Sequence, residues 1–80
     1  MNDMKEKIRA ILEDALPLVN LDSEFLLSEL DSLGVATILL KLSEEFSIKL
    51  ESSDATPRNL KNLDSLAAIV QAKLTSKKQL

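Results

Sequence analysis

Apolar side chains recur with helical spacing at the start of the chain. At about 100° per residue, Met4, Ile8, Ile11, Leu12 and Ala15 fall on one face, which predicts an amphipathic helix over 4–16. Asp3 followed three residues later by Glu6 has the form of a capping box, and Pro17 stops the run. No period is sustained over 17–31, yet this long connection is rich in apolar residues: Leu18, Val19, Leu21, Phe25, Leu26, Leu27 and Leu30. A connection of this length in a small domain either serves a function or packs with its own side chains. It is expected to lie over the core, with Leu26, Leu27 and Leu30 in one short helical turn after Ser23. A second helix is predicted over 32–46, with Asp31 near its N-cap. After a short stretch holding Ile48 and Leu50, Thr56-Pro57 pairs a capping residue with proline at the first helical position. This predicts a short helix to about residue 61. A last helix follows over 63–74, where Leu63, Leu66, Ala67, Ile69, Val70 and Leu74 form the packing stripe, and 75–80 are expected to be a frayed, flexible tail. The pattern is that of an all-α protein: one domain over 1–80, with three main helices, a short helix before the last and a long first loop.

Composition narrows what such a bundle can do. Eighty residues with 45% hydrophobic content support one small core and argue against disorder, though with a thin stability margin. Phe25 and Phe46 are the only aromatic residues, so the core must be built from Leu, Ile, Val and Ala. The chain has no Cys and no His. Disulfides, thiolate metal sites, the commonest general base and the commonest transition-metal ligand are therefore missing, and no catalytic residues and no metal site are expected. Glu13-Asp14 and Glu44-Glu45 are adjacent carboxylates, which diverge on a helix and form no acid–base pair. The net charge of −3 disfavours nucleic acid as a partner. It is unevenly spread: three basic and eight acidic residues precede Ser32, and seven basic and five acidic follow. A helix-turn-helix reading fails on the same ground, because the candidate recognition helix from Leu63 has only Lys73 near its far end. No stretch reads as a secretory signal or a membrane span, and a soluble, cytoplasmic monomer is expected.

Two identical triplets stand where helices are predicted to begin: Asp31-Ser32-Leu33 and Asp64-Ser65-Leu66. Asp and Ser are favoured at helix starts, so both triplets read as caps in the first instance. The first has a distinctive context. It follows the long apolar loop and precedes Gly-Val-Ala-Thr-Ile-Leu-Leu-Lys-Leu-Ser-Glu-Glu-Phe, then an Ile-Lys-Leu segment. In this layout the chain resembles the acyl carrier protein family over essentially its whole length. The resemblance implies that Ser32 carries 4′-phosphopantetheine, derived from coenzyme A. A phosphopantetheinyl transferase would attach it, with Asp31 in the surface the transferase recognises. It implies a carrier rather than an enzyme, holding a thioester-linked intermediate for lipid or secondary-metabolite biosynthesis. Elementary electrostatics agrees, since a phosphodiester at the first turn of a helix meets free N–H groups and the positive end of the helix dipole. The resemblance gives Ser65 no prosthetic group. The competing reading is an unmodified helical interaction module, with both triplets acting only as caps.

The second helix is apolar on two sides. Val35, Ile38, Leu39, Leu42 and Phe46 form the expected core stripe, while Leu33, Ala36 and Leu40 lie opposite with Thr37 and Glu44 beside them. A helix with two apolar faces is either fully buried or has a second partner. The family docks its partners on this helix, which makes Leu33, Ala36, Thr37, Leu40, Lys41 and Glu44 the expected partner face. The chain departs from the family pattern by placing Gly34 where an acidic residue is common, Thr37 in place of the usual Glu, and a positive charge at Lys41. Those departures, with an end segment of Thr-Pro-Arg-Asn-Leu-Lys-Asn-Leu-Asp-Ser-Leu similar to discrete specialised carriers, point to a dedicated acyl- or aminoacyl-activating ligase and downstream transferases rather than ordinary fatty-acid enzymes.

Overall fold

The computed structural model describes residues 3–78. Three helices carry the fold: α1 (Asp3–Ala15), α2 (Ser32–Phe46) and α3 (Leu63–Lys78). Each supplies a few fully enclosed side chains at helical spacing. Ile8 and Leu12 come from α1, Ile38 and Leu42 from α2, and Leu63, Leu66 and Val70 from α3. Leu21, Leu26 and Leu60 close the same cluster from the connections. Helix α1 packs against both others and forms the spine of the bundle. Phe46 only borders the core and Phe25 is exposed, so the interior is aliphatic, as the composition demands.

Asp3 lies inside the first turn of α1 rather than capping it, and the residue before it is outside the described set. It still places negative charge, with Glu6, at the positive end of the helix dipole. The helix ends at Ala15, two residues before Pro17, as proline's missing N–H requires.

The first loop does lie over the core. Leu21 and Leu26 are buried, and Val19, Leu27 and Leu30 pack beside them. Its expected helical turn is a 3₁₀ turn, Leu26–Glu29, with the Ser23 hydroxyl oxygen accepting from the Phe25 N–H. Two bonds fix the loop at a distance in sequence. The Leu26 N–H donates to the Lys61 carbonyl, and the Arg9 guanidinium pairs with the Asp22 carboxylate, holding that carboxyl below its ordinary range. Leu18 and Phe25 are the exceptions, turned out to solvent at 98% and 45% exposure.

Between α2 and α3 the structure departs from the predicted elements. Ser47 closes α2 in the left-handed region, and a 3₁₀ turn, Ser52–Asp54, follows. Thr56 acts as the expected cap, its hydroxyl oxygen accepting from the Asn59 N–H, and the Leu60 N–H donates to the Thr56 carbonyl at 2.9 Å. The predicted short helix is thus a single turn. It goes no further because Asn59 is drawn elsewhere: its amide donates to the Asp54 carbonyl and its own carbonyl accepts from the Ser65 hydroxyl. Helix α3 runs to Lys78, past its expected end at residue 74; the rest of the expected tail, residues 79 and 80, lies outside the described set.

Ser65 is tied into the start of α3. The Asn62 side chain accepts from the Ser65 N–H at 2.9 Å, and the Ser65 hydroxyl oxygen accepts from the Asn62 N–H at 3.0 Å. This reciprocal pair has the geometry of a capping box, with Ser in the usual place of Glu. Because the same hydroxyl also reaches the Asn59 and Asn62 carbonyls, Ser65→Ala should cost about 1–2 kcal/mol. Chemical denaturation of the variant checks it.

Among the described residues Asp54 is the one Asp or Glu that is not exposed. Its side chain is 16% exposed, accepts from the Glu51 N–H at 2.9 Å, and lies 3.2 Å from the Lys73 ammonium. The Glu51 hydrogen bond first, and Lys73 after it, hold its carboxyl below the ordinary carboxylate range against the opposing effect of burial. A depressed folded-state value stabilises the fold above the unfolded carboxyl's pKa of about 3.9, and the contribution is lost as pH falls through the folded-state value. Asp54→Asn should therefore cost about 1 kcal/mol at neutral pH, with the gap to the native chain closing below about pH 4. Thermal melts across a pH series would read this.

Candidate functional site

The site is the junction where the first loop enters α2. Leu30 leaves the 3₁₀ turn in an extended conformation and packs against the core edge. Asp31 follows as the N-cap, also extended (φ −103°, ψ −174°), and its carboxylate accepts from the Gly34 N–H at 2.7 Å. The Val35 N–H donates to the Asp31 carbonyl and begins the helical ladder. The Ser32 and Leu33 N–H groups remain as the unpaired donors of the helix start.

Ser32 is the first helical residue, and it is exposed. An anion attached there would face those two donors and the positive end of a fifteen-residue helix. The residues therefore fit a phosphodiester on Ser32. They do not activate Ser32 by themselves: its neighbour Asp31 is committed to the cap, and the chain has no imidazole.

Gly34 matters to this junction in a way the sequence pattern does not reveal. It is buried, on the side of α2 that carries Ile38 and Leu42. A Cβ there would lie 3.2 Å from Leu30 Cδ2 and 3.4 Å from Asp31 Oδ1. The missing side chain lets the loop close onto the first turn. The expected core stripe is rotated accordingly: Gly34, Ile38 and Leu42 are buried, whereas Val35, Leu39 and Phe46 are half-buried.

The six expected partner residues do lie together on the outward side of α2. Leu33 and Leu40 are 75% and 58% exposed, and Ala36 and Glu44 are exposed. Thr37 and Lys41 are half-buried at the edge of this face. The Thr37 hydroxyl donates to the Leu33 carbonyl at 2.8 Å, so it is turned back onto its own helix. Sequence reasoning missed an open groove beside this face, between the end of α1, the first loop and the start of α2. Its residues come from three separate segments, so no local pattern announces it.

The two triplets differ in register. In the first, Asp31 is the N-cap and Ser32 begins the helix. In the second, Asn62 caps, Asp64 pairs with Lys5 at 3.3 Å, and Ser65 is turned into the cap. One hydroxyl is offered outward and the other is engaged.

Among the described residues no helix is long and apolar enough to cross a membrane. No curated protein and no solved structure gives a match to the chain. A family model described as the phosphopantetheine attachment site matches residues 4–72, spanning α1 from its second residue, all of α2 and most of α3. The family carries a 4′-phosphopantetheine prosthetic group, and its members act as carriers rather than catalysts. The helical bundle agrees with that assignment, and the chain belongs to the acyl carrier family of phosphopantetheine-binding proteins.

Proposed function

We propose that Ser32 is the attachment residue and that the chain tethers an acyl or aminoacyl intermediate on the arm fixed there. The observation that carries this reading is the exposed hydroxyl at the first residue of α2, set beside unpaired backbone donors. In the attachment reaction the Ser32 oxygen forms a bond to the coenzyme A phosphorus that bears the pantetheine. The bond from that phosphorus to the nucleotide phosphate breaks, and the serine proton passes to a base of the transferase. Once bound, the group supplies a thiol that holds the cargo as a thioester. The chain's own contribution is positional. Asp31 holds the helix start in register and presents a carboxylate beside the modified residue for the transferase to recognise.

Downstream partners would meet the outward face of α2, with Leu33, Ala36 and Leu40 as its apolar part and Thr37, Lys41 and Glu44 along its edge. Between Asp31 and Glu44 the only charged residue is Lys41. An enzyme that relies on acidic residues along this stretch finds none, which favours a dedicated activating ligase and dedicated transferases.

Co-expression with a broad-range phosphopantetheinyl transferase, followed by intact mass measurement, tests the reading. The native chain should gain the mass of one phosphopantetheine, Ser65→Ala should retain that gain, and Ser32→Ala should abolish it. Melting curves should place Ser32→Ala within about 0.5 kcal/mol of the native chain, since its hydroxyl makes no internal bond. No mass gain in the native chain would leave an unmodified helical module.

A further inference from the structure

The groove beside the first turn of α2 has a volume of about 530 Å³ and opens to solvent. Leu16, Val19 and Leu30 provide apolar walls from the end of α1 and the first loop, and Leu33 provides one from α2. Glu29 and Asp31 are the charged residues of its lining, and no Lys or Arg lines it among the described residues. This volume falls in the range that accepts a compact apolar group. Its position is tied to Ser32. Leu33 follows Ser32 in the chain, is 75% exposed and lines the groove, as does Asp31 before the serine. A protein that covers Ser32 together with its two groove-lining neighbours, Asp31 and Leu33, is brought to the edge of the groove.

We propose that the groove seats an apolar side chain of the phosphopantetheinyl transferase, with basic groups of that enzyme flanking the side chain and facing Glu29 and Asp31. The proposal rests on Ser32 being the modified residue and adds how the modifying enzyme holds the carrier. An anchor side chain entering a pocket, surrounded by charged rim contacts, is the arrangement that concentrates binding energy at a small interface. The carboxylates at the rim supply the sign: they attract a basic surface and repel an acidic one. Helix α2 lacks carboxylates between Asp31 and Glu44, so Glu29 and Asp31 are the negative groups nearest the modified serine in sequence. The basic surface of the transferase is thereby directed to the loop side of the helix start.

Filling the groove tests this. Ala15→Leu and Thr37→Leu each enlarge a lining residue on a helix, and neither residue belongs to the core cluster. With the apo protein, coenzyme A, Mg²⁺ and a broad-range transferase, both should raise KM for the carrier roughly tenfold or more while kcat stays within about twofold. Ala68→Leu, on the exposed side of α3, should leave both constants within about twofold. Glu29→Lys should raise KM several-fold at about 0.05 M salt, with the difference shrinking towards about 0.5 M as the charges are screened. Unchanged KM in both filled variants would overturn the proposal. A measurement free of substitutions stands beside it: with ¹⁵N-labelled native protein and transferase but no coenzyme A, the Val19 and Leu30 amides should shift. If they stay fixed with the enzyme and move only on conversion to the phosphopantetheine-bearing form, the groove belongs to the arm and the proposal falls. Absence of any mass gain on the native chain is a failure of the carrier reading itself. A normal mass gain with unchanged KM is a failure of the groove alone.

Discussion

Everything at the functional end of the molecule depends on how α2 begins. The Asp31 carboxylate accepts from the Gly34 N–H, and this one bond makes Asp31 the cap and Ser32 the first helical residue. A shift of one position would rotate the serine by about 100° around the helix and turn it towards a different surface. The cap is itself held by packing. Leu30, immediately before it, lies against Gly34 at a distance that leaves little room for a Cβ. Glycine in a first turn weakens a helix by roughly 0.5–1 kcal/mol relative to alanine. Here that loss is set against the close seating of the loop. The loop, the cap and Ser32 therefore form one unit, anchored at its far end by the Leu26 bond to Lys61 and by the Arg9 pair with Asp22.

The two Asp-Ser-Leu triplets make the same argument from the opposite side. Identical in sequence, they occupy different registers because the residue that wins the cap is chosen upstream. Before α3, Asn62 takes the role and places Asp64 and Ser65 inside the helix, where the serine completes the reciprocal bond. Before α2 the position that matches Asn62 is Glu29, which is held in the preceding 3₁₀ turn with Leu30 extended after it, so the helix starts later and the cap falls to Asp31. A short motif states which residues are available. The neighbouring side chains decide which of them turns outward.

That distinction explains what the sequence made legible. The three helices could be read because their apolar spacing reports a buried face, and the first loop could be placed over the core because its leucines have no other refuge. The serine could be singled out from the layout around it. The buried Gly34 is not legible, because a residue without a side chain leaves no mark in a hydrophobic pattern; the apolar spacing of α2 consequently predicts a core face turned too far towards Val35 and Leu39. The sequence predicts a short helix after Thr56 because cap and proline signals describe how a helix starts and say nothing of what ends it. Its end is tertiary, in the bonds of Asn59 to Asp54 and to Ser65. The exposure of Leu18 and the groove beside α2 are likewise products of three segments meeting.

The outward apolar face of α2 follows from the same economy of parts. Three helices of this length enclose a core only a few side chains wide, here Ile8, Leu12, Leu26, Ile38, Leu42, Leu60, Leu66 and Val70 at its centre. A helix apolar all round cannot be covered by two neighbours, and Leu33 and Leu40 stay in water. Exposing two large aliphatic groups forgoes burial worth roughly 1.5–3 kcal/mol for each, a large share of the margin of a domain this small. Selection for stability alone would replace them with polar residues. Their position beside Ser32, on the helix whose start is most tightly specified, is intelligible if that apolar area is covered intermittently by partner proteins. Contact of that kind depends on shape and water exclusion more than on charge, and it matches a helix whose only charge between Asp31 and Glu44 is Lys41.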